Sequence, residues 1–218
     1  MKSSITYQID NSLFNIFSCD NLENILKEYQ LTNYYYLDQI HSNIIHIVDD
    51  NYQNNSQGDG LITSKPNIPL VIRTADCIPI LIYDKQHKVL GLIHSGWLGT
   101  LNNIIIDAIN LIINNYHSQK ENIYIYIYPS IHKCHFEVDE DVYQKFTSKY
   151  KFTNQFTTKK NNKYYIDLQG IVRYNLEYIG ITNITESNIC TYCHHDSFHS
   201  YRYNHTDKRN YLIAYIKE

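Results

Sequence analysis

The stretch from Ile68 to Asp84, I-P-L-V-I-R-T-A-D-C-I-P-I-L-I-Y-D, consists of two apolar runs separated by T-A-D-C. Both runs are short and rich in β-branched residues, which favours buried strands over helix. Cys77 sits where the first run gives way to the second. Downstream, V-L-G-L-I-H (89–94) predicts another strand, which ends at His94 and leads into S-G-W-L-G-T. Functional side chains concentrate in loops at strand ends. A fold that pairs these strands therefore brings the Cys77 thiol to the His94 imidazole. His41, in the upstream Q-I-H-S, is the third member of the group. One Cys and two His leave a zinc ion one open coordination position, as a catalytic metal requires. Gly96 and Gly99 flank Trp97 beside His94 and let backbone approach a ligand closely. Asp76 reads either as an outer hydrogen-bonding partner of the ligand set or as a turn residue. Taken one at a time, these are a buried thiol and hydrogen-bonded histidines; the combination points to a metal.

Working outward, residues 21–30 space Leu22, Ile25, Leu26 and Tyr29 at helical intervals. Residues 34–48 read as extended with His41 in the middle, and 50–60 as a polar loop. Thr100 is placed to cap a helix of about fifteen residues, with Leu101, Ile104, Ile105, Ala108, Leu111 and Ile112 in one stripe. I-Y-I-Y-I-Y (123–128) alternates as a strand does, and Asp139 opens another helix. Y-Y-I-D (164–167) is a strand, followed by a helix that ends at Gly180. N-I-C-T-Y and Y-L-I-A-Y-I are late strands. Strands interleaved with about four helices indicate an α/β or α+β fold in one domain spanning 1–218.

Composition narrows the function. The chain has 218 residues, 43% of them hydrophobic and 19% charged, which is enough for a sizeable core. A net charge of -3 argues against a general nucleic-acid or anionic-membrane binder. It leaves room for a local pocket for a small anion, whose clamp must come from Arg73, Arg173, Arg202 and Arg209. No secretory signal and no membrane-length apolar run are visible. Five cysteines, an odd number, without such a signal predict reduced thiols in a cytoplasm.

Q-I-H-S, G-D-G-L-I-T, L-V-I-R-T-A-D-C-I-P-I-L-I-Y-D, G-L-I-H-S-G-W-L-G-T, Y-P-S-I-H-K-C-H-F-E-V, Y-I-D-L and I-C-T followed by H-S-Y-R together resemble the YfiH/laccase-domain family. The likeness runs from about residue 39 to the C-terminus. Members were once described as multicopper polyphenol oxidases and are now described as zinc-dependent purine nucleoside phosphorylases. Adenosine deaminase and S-methyl-5′-thioadenosine phosphorylase activities are ascribed to them as well. The resemblance implies a layered α/β/β/α sandwich like cysteine-hydrolase toxin domains. It also implies zinc held by His41, Cys77 and His94 as the catalytic centre, and a purine nucleoside and phosphate as substrates. Arg202, Gln39, Ser130 and Thr100 are the substrate-binding candidates. A plain salt bridge for Arg202 and ordinary turn chemistry for Ser130 are the alternatives. The chain departs from the family where Leu98 and Lys208 replace the usual Arg and Gly, and its N-terminal segment is short. Oligomeric state is left open.

Three other functions compete. Cys77 and His94 could serve as nucleophile and base of a hydrolase, which suits relatives named peptidoglycan-editing factors. Copper is the less favoured metal, because a laccase needs paired histidine motifs and the eleven histidines here are scattered. A degenerate metal-binding protein is the non-enzymatic reading. C-T-Y-C-H-H has the spacing of c-type haem attachment, but without an export signal and with Met1 as the only methionine, haem is rejected. A second zinc site from Cys190, Cys193 and His194 or His195 is the remaining use of that motif. His132, Cys134 and His135 in I-H-K-C-H-F are a weaker match, read as lying on alternating positions, and Glu137 and Asp167 read as general bases or simply as caps and solvated charges.

Overall fold

Every residue of Ile78–Asp84 and of Val89–Ser95 is buried. Strands buried on both faces need a packed layer on either side, and that requirement sets the architecture. The structure, a computed structural model, describes residues 3–9, 12–19, 22–31, 33–150 and 153–217. In chain order the elements are β1 (Ser3–Ile9), β2 (Ser12–Cys19), α1 (Leu22–Glu28), β3 (Leu37–Asp38), β4 (Ile45–Ile47), β5 (Ser56–Gln57), β6 (Gly60–Thr63), β7 (Leu70–Thr74), β8 (Ile78–Asp84), β9 (Val89–Ser95), α2 (Trp97–Leu101), α3 (Ile104–Tyr116) and β10 (Ile123–Ile127). There follow β11 (Glu137–Val138), α4 (Glu140–Lys149), α5 (Thr153–Phe156), β12 (Thr157–Lys160), β13 (Lys163–Ile166), α6 (Leu168–Tyr178), β14 (Asn183–Glu186), α7 (Tyr201–Asn204) and β15 (Arg209–Tyr215).

Among the described residues, six strands form one sheet in the order β14-β10-β8-β9-β6-β4, and four form a second in the order β1-β2-β15-β7. The period of two along each strand sorts side chains between layers. Ile78, Ile80, Ile82, Val89 and Ile93 face α3 and α6, against Ile105, Ala108, Ile112, Ile171 and Leu176. Leu81, Tyr83, Leu90 and Leu92 face the second sheet, against Leu70, Ile72, Leu212 and Ala214. On the outer face of that second sheet, Val71 and Ile213 pack on Ile25 and Leu26 of α1. The layers are thus helix, sheet, sheet, helix. The 123–128 alternation follows the same rule: Ile123, Ile125 and Ile127 face the helices, and Tyr126 and Tyr128 the space between sheets.

Several expectations change. β7 and β8, read as similar strands, lie in different sheets, so T-A-D-C is a crossover. Asp76 turns that corner with φ 91°. His41 lies in a bend between β3 and β4 rather than in one extended segment. Thr100 is no helix cap: it lies inside α2, which breaks at Asn102 and left-handed Asn103 before α3 begins. The stripe Leu101, Ile104, Ile105, Ala108 and Ile112 is buried as expected, with Leu111 half-buried. N-I-C-T-Y is not a strand but a single bridge, Cys190 to Ser130, that runs into turns. Asp167 is a cap, since its side chain accepts from the Gly170 N–H at 2.9 Å at the start of α6. That helix stops before Gly180, whose φ is 89°. Asn21 and Met1, which entered the reading of the first helix and the haem argument, lie outside the described residues.

Leu92 fills the space between the two sheets and is fully buried. Leu92→Ala should lower the unfolding free energy by about 2–5 kcal/mol. Tyr178→Ala, at an 81% exposed position, should stay within about 0.5 kcal/mol. Urea denaturation followed by far-ultraviolet circular dichroism measures both.

Candidate metal centre

The register of the β8–β9 hairpin sets Ile78 opposite Ser95 and Pro79 opposite His94. Cys77 therefore emerges beside His94 at the same end of the sheet. His41 comes from the bend before β4, held at φ 59°. The Cys77 Sγ lies 3.9 Å from His41 Nε2. The His41 and His94 rings meet edge-on with centroids 4.9 Å apart. The three ligand atoms lie within 4.8 Å of one another. Gly96 leaves little room here: a Cβ would stand 3.0 Å from the His41 ring and 3.2 Å from Cys77 Sγ, so both side chains would have to give way.

Asp59, just before β6, organises the group. It is fully buried. Its Oδ1 accepts from His94 Nδ1 at 2.7 Å and from the His41 backbone N–H at 3.1 Å. Its Oδ2 accepts from the Ser42 N–H and, at 2.7 Å, from Ser42 Oγ. Burial opposes ionisation of Asp59, but the bonds from His94 and Ser42 outweigh it and hold the carboxyl below its usual range. An ionised Asp59 has no proton to give, so His94 carries one on Nδ1 and turns Nε2 toward Cys77. Burial likewise disfavours a Cys77 thiolate, yet the neighbouring His94 and His41 bring the thiol down to about 6. Burial opposes a charged His94, but Cys77 and Asp59 raise it to about 9. Without a metal the pair is thiolate and imidazolium. Two imidazole nitrogens and one sulfur, with one ring fixed by a carboxylate, form a donor set that fits zinc.

A cleft of about 690 Å³ opens over the three side chains. Three of the chain's four arginines, Arg73, Arg202 and Arg209, line it. Arg173 is bound elsewhere, to Glu186. Arg202 is anchored rather than salt-bridged. Its backbone N–H donates to Asp76 Oδ2 at 2.7 Å, and its Nη1 donates to the His135 and Glu137 carbonyls at 3.1 and 2.8 Å. Asp76 also accepts from Thr191 Oγ1 at 2.6 Å, so it holds the cleft wall and none of the ligands.

The other substrate-binding candidates fall out differently. Gln39 lines the cleft, but both ends of its amide pair with the Arg73 backbone at 2.8 Å. Thr100 is 2% exposed and bonded to Ser95 Oγ, and fully buried Ser130 bonds Gln169. Both face the interior, because α2 and the Ser130 bridge turn them inward. Glu137 is bound to Lys163. Cys190 and Cys193 do not meet His194 or His195. His194 Nδ1 lies 3.1 Å from the Cys190 carbonyl, and His195 stacks on Tyr203. Their sulfurs meet Cys134 and His135 instead. The sequence reading passed over Asp59 and Thr74, and it named Arg73 only as one of the four arginines from which an anion clamp could come. The available signal for Asp59 was a carboxylate between two glycines at the mouth of an apolar strand, a place where burial demands partners.

Residues 19–216 match the family described as multi-copper polyphenol oxidoreductase laccase. The chain belongs to this family. It is 32% identical over 184 residues to purine nucleoside phosphorylase Cj1217c of Campylobacter jejuni, covering 84% of this chain and 77% of that protein. It is also 32% identical to purine nucleoside phosphorylase RP494 of Rickettsia prowazekii, covering 84% and 75%. Among solved structures, the hypothetical protein YfiH of Bacillus licheniformis superposes with TM-score 0.84 at 26% identity, covering 94% of this chain and 92% of that one. Protein NMB0706 of Neisseria meningitidis superposes with TM-score 0.85 at 20% identity over 99% of both. The His/Cys/His group is a candidate metal centre, in keeping with the family's multi-copper description.

Asp59→Asn should weaken zinc binding about 10–100-fold, since the amide no longer enforces a proton on His94 Nδ1. Competition against a chromophoric chelator reads this. The same assay has a defined pH dependence. Binding needs a neutral His94 and a Cys77 thiolate. Between about pH 6 and 9 the metal displaces one proton from this pair, from His94, and below about 6 a second, from Cys77. Affinity should therefore rise with pH, most steeply below 6, with this pair's contribution levelling off above 9.

Proposed function

We propose that the chain is a zinc-dependent purine nucleoside phosphorylase. The observation that carries this reading is a single cleft that contains His41, Cys77 and His94 together with Arg73, Arg202 and Arg209. Relatives that bear the name purine nucleoside phosphorylase support the substrate class. In phosphorolysis a phosphate oxygen bonds to C1′ of the ribose as the C1′–N9 bond breaks. The bonding pair leaves with the purine, which takes up a proton. The guanidinium groups hold phosphate in line with C1′, and such positioning is worth several kcal/mol. Thr74 also belongs to the lining, and its buried Oγ1 has no hydrogen-bond partner among the described residues. Phe136, Tyr201 and Tyr211 offer flat apolar surfaces for the base. His41, Cys77 and His94 would hold zinc, which would supply a Lewis acid in the cleft. Asp59 keeps the proton on His94 Nδ1 throughout. Adenosine deamination and S-methyl-5′-thioadenosine phosphorolysis belong to the same proposal. The unpaired thiols Cys77, Cys134, Cys190 and Cys193 suit a reducing cytoplasm. No helix among the described residues is long and apolar enough to cross a membrane.

Zinc-loaded protein given adenosine and phosphate should release adenine and ribose 1-phosphate, with inosine where deamination accompanies it. No turnover of any purine nucleoside at full zinc occupancy sinks the proposal. Arg202→Ala should lower kcat/KM for phosphate about 10–100-fold, the worth of a charged hydrogen bond of about 1.5–3 kcal/mol. An intense blue thiolate-to-copper band in the protein as isolated would replace zinc with copper.

The Asp59–His94–Cys77 chain favours a second reading, since a nucleophile, a base and an orienting carboxylate lie in hydrolase order. Zinc and thiolate attack exclude each other. Protection of Cys77 from iodoacetamide by stoichiometric zinc supports the phosphorylase, whereas ready alkylation of the zinc-saturated protein supports the hydrolase.

A further inference from the structure

Away from the cleft centre, the described residues contain one other group with metal-ligand geometry: Cys134, His135, Cys190 and Cys193, whose ligand atoms lie within 4.8 Å of one another. Cys134 Sγ is 3.8 Å from both Cys190 Sγ and Cys193 Sγ. His135 Nδ1 is 3.2 Å from Cys134 Sγ and 3.3 Å from Cys193 Sγ. Around a tetrahedral zinc with Zn–S bonds of about 2.3 Å, neighbouring sulfurs stand roughly 3.8 Å apart and a sulfur and a nitrogen roughly 3.6 Å apart. Cys134 already holds that spacing to both other sulfurs, and His135 Nδ1 is within a few tenths of an ångström of it from Cys134 and Cys193, with every remaining pair inside 4.8 Å. A disulfide would need its sulfurs at about 2.05 Å.

The surroundings suit thiolate ligands on a cation. The His135 ring stacks on Tyr192, centroids 3.9 Å apart and planes at 15°, with Nδ1 toward the sulfurs. The His132 backbone N–H points at Cys190 Sγ at 3.4 Å, the kind of outer hydrogen bond that a metal-bound thiolate accepts. The four residues come in two pairs from distant segments, K-C-H and C-T-Y-C. Each pair alone offers two ligands; only the fold completes four.

We infer that Cys134, His135, Cys190 and Cys193 form a second zinc site, closed by four protein ligands and structural in role. It staples the turn at 132–137 to the loop at 190–193. The first segment supplies the His135 and Glu137 carbonyls that hold Arg202. The second supplies Thr191, which bonds Asp76. Both sides of the cleft wall thus converge on one ion. With four protein ligands it has no open position for a reactant. The inference is independent of the nucleoside chemistry proposed above.

Metal analysis and cobalt spectra test it. Reduced, full-length protein should hold two zinc ions per chain, and Cys77→Ser should keep one. When cobalt replaces zinc in Cys77→Ser, a thiolate-to-cobalt charge-transfer band and intense tetrahedral d–d bands should persist, because the cleft no longer offers a sulfur. Adding Cys134→Ser and Cys193→Ser should abolish those bands. Zinc-edge X-ray absorption on Cys77→Ser needs no further variant and should report three sulfurs and one nitrogen. A reduced Cys77→Ser protein with no metal–sulfur signal, or a disulfide among the three cysteines in freshly isolated protein, overturns the inference. If wild-type protein binds a single zinc that survives Cys77→Ser, the second site stands and the cleft metal fails. If that zinc is lost, the reverse holds.

Discussion

The buried carboxylate of Asp59 is the constraint on which the rest of the centre depends. A fully desolvated charge is tolerated only where donors converge on it. Here four do: His94 Nδ1, the His41 N–H, the Ser42 N–H and Ser42 Oγ. Those donors come from two segments distant in sequence. One acceptor group therefore fixes the tautomer of one candidate ligand and the backbone of another. It also accounts for the left-handed conformation of His41, which a non-glycine residue holds only when its surroundings over-determine it. Removing the carboxylate would leave the bend at 41–42 without its anchor and His94 free to turn over.

Asp76 does the corresponding work for the cleft wall. It stands at the crossover from the four-stranded to the six-stranded sheet, one residue before Cys77. Its two oxygens accept from Thr191 and from the Arg202 backbone. The chain thus changes sheets at the point where the sulfur ligand is presented. That corner is tied to the loop that carries Cys190 and to α7, which carries Arg202. The candidate ligand set and the arginine-lined wall are held by two separate carboxylates, so each can be perturbed without dissolving the other.

The sequence made strands and ligands legible for different reasons. β-Branched runs and strict alternation reveal burial, and burial identified β7, β8, β9, β10 and β15. It could not assign them to sheets, because a strand between two layers shows the same apolar pattern in either one. His41, Cys77 and His94 were legible as ends of motifs, and the structure brings them together. Asp59 was not, because G-D-G reads first as turn chemistry, and only its place at the mouth of an apolar strand signals a buried carboxylate in need of partners. Thr100 and Ser130 belonged to the right motifs but point inward, and side-chain direction depends on helix phase at Thr100 and on a long-range bridge to Cys190 at Ser130, which spacing alone leaves undetermined. The group of Cys134, His135, Cys190 and Cys193 was visible only as two halves, since its completion depends on a long-range contact.

Leu98, where the resemblance leads one to expect an arginine, bears on how the cleft gathers positive charge. Leu98 is half-buried and packs against the helical core. The cleft's arginines come instead from β7, α7 and β15, that is, from the second sheet and the loops crossing its edge. A guanidinium on an exposed side chain loses much of its attraction for an anion to its own mobility. Arg202 avoids that loss because two backbone carbonyls and its own main-chain N–H fix it before any ligand arrives. Those carbonyls belong to the turn that carries Cys134 and His135. A chain with few arginines can hold an anion in this way if the backbone beneath each one is rigid, and rigidity at that turn is what three sulfurs and an imidazole around one cation would provide.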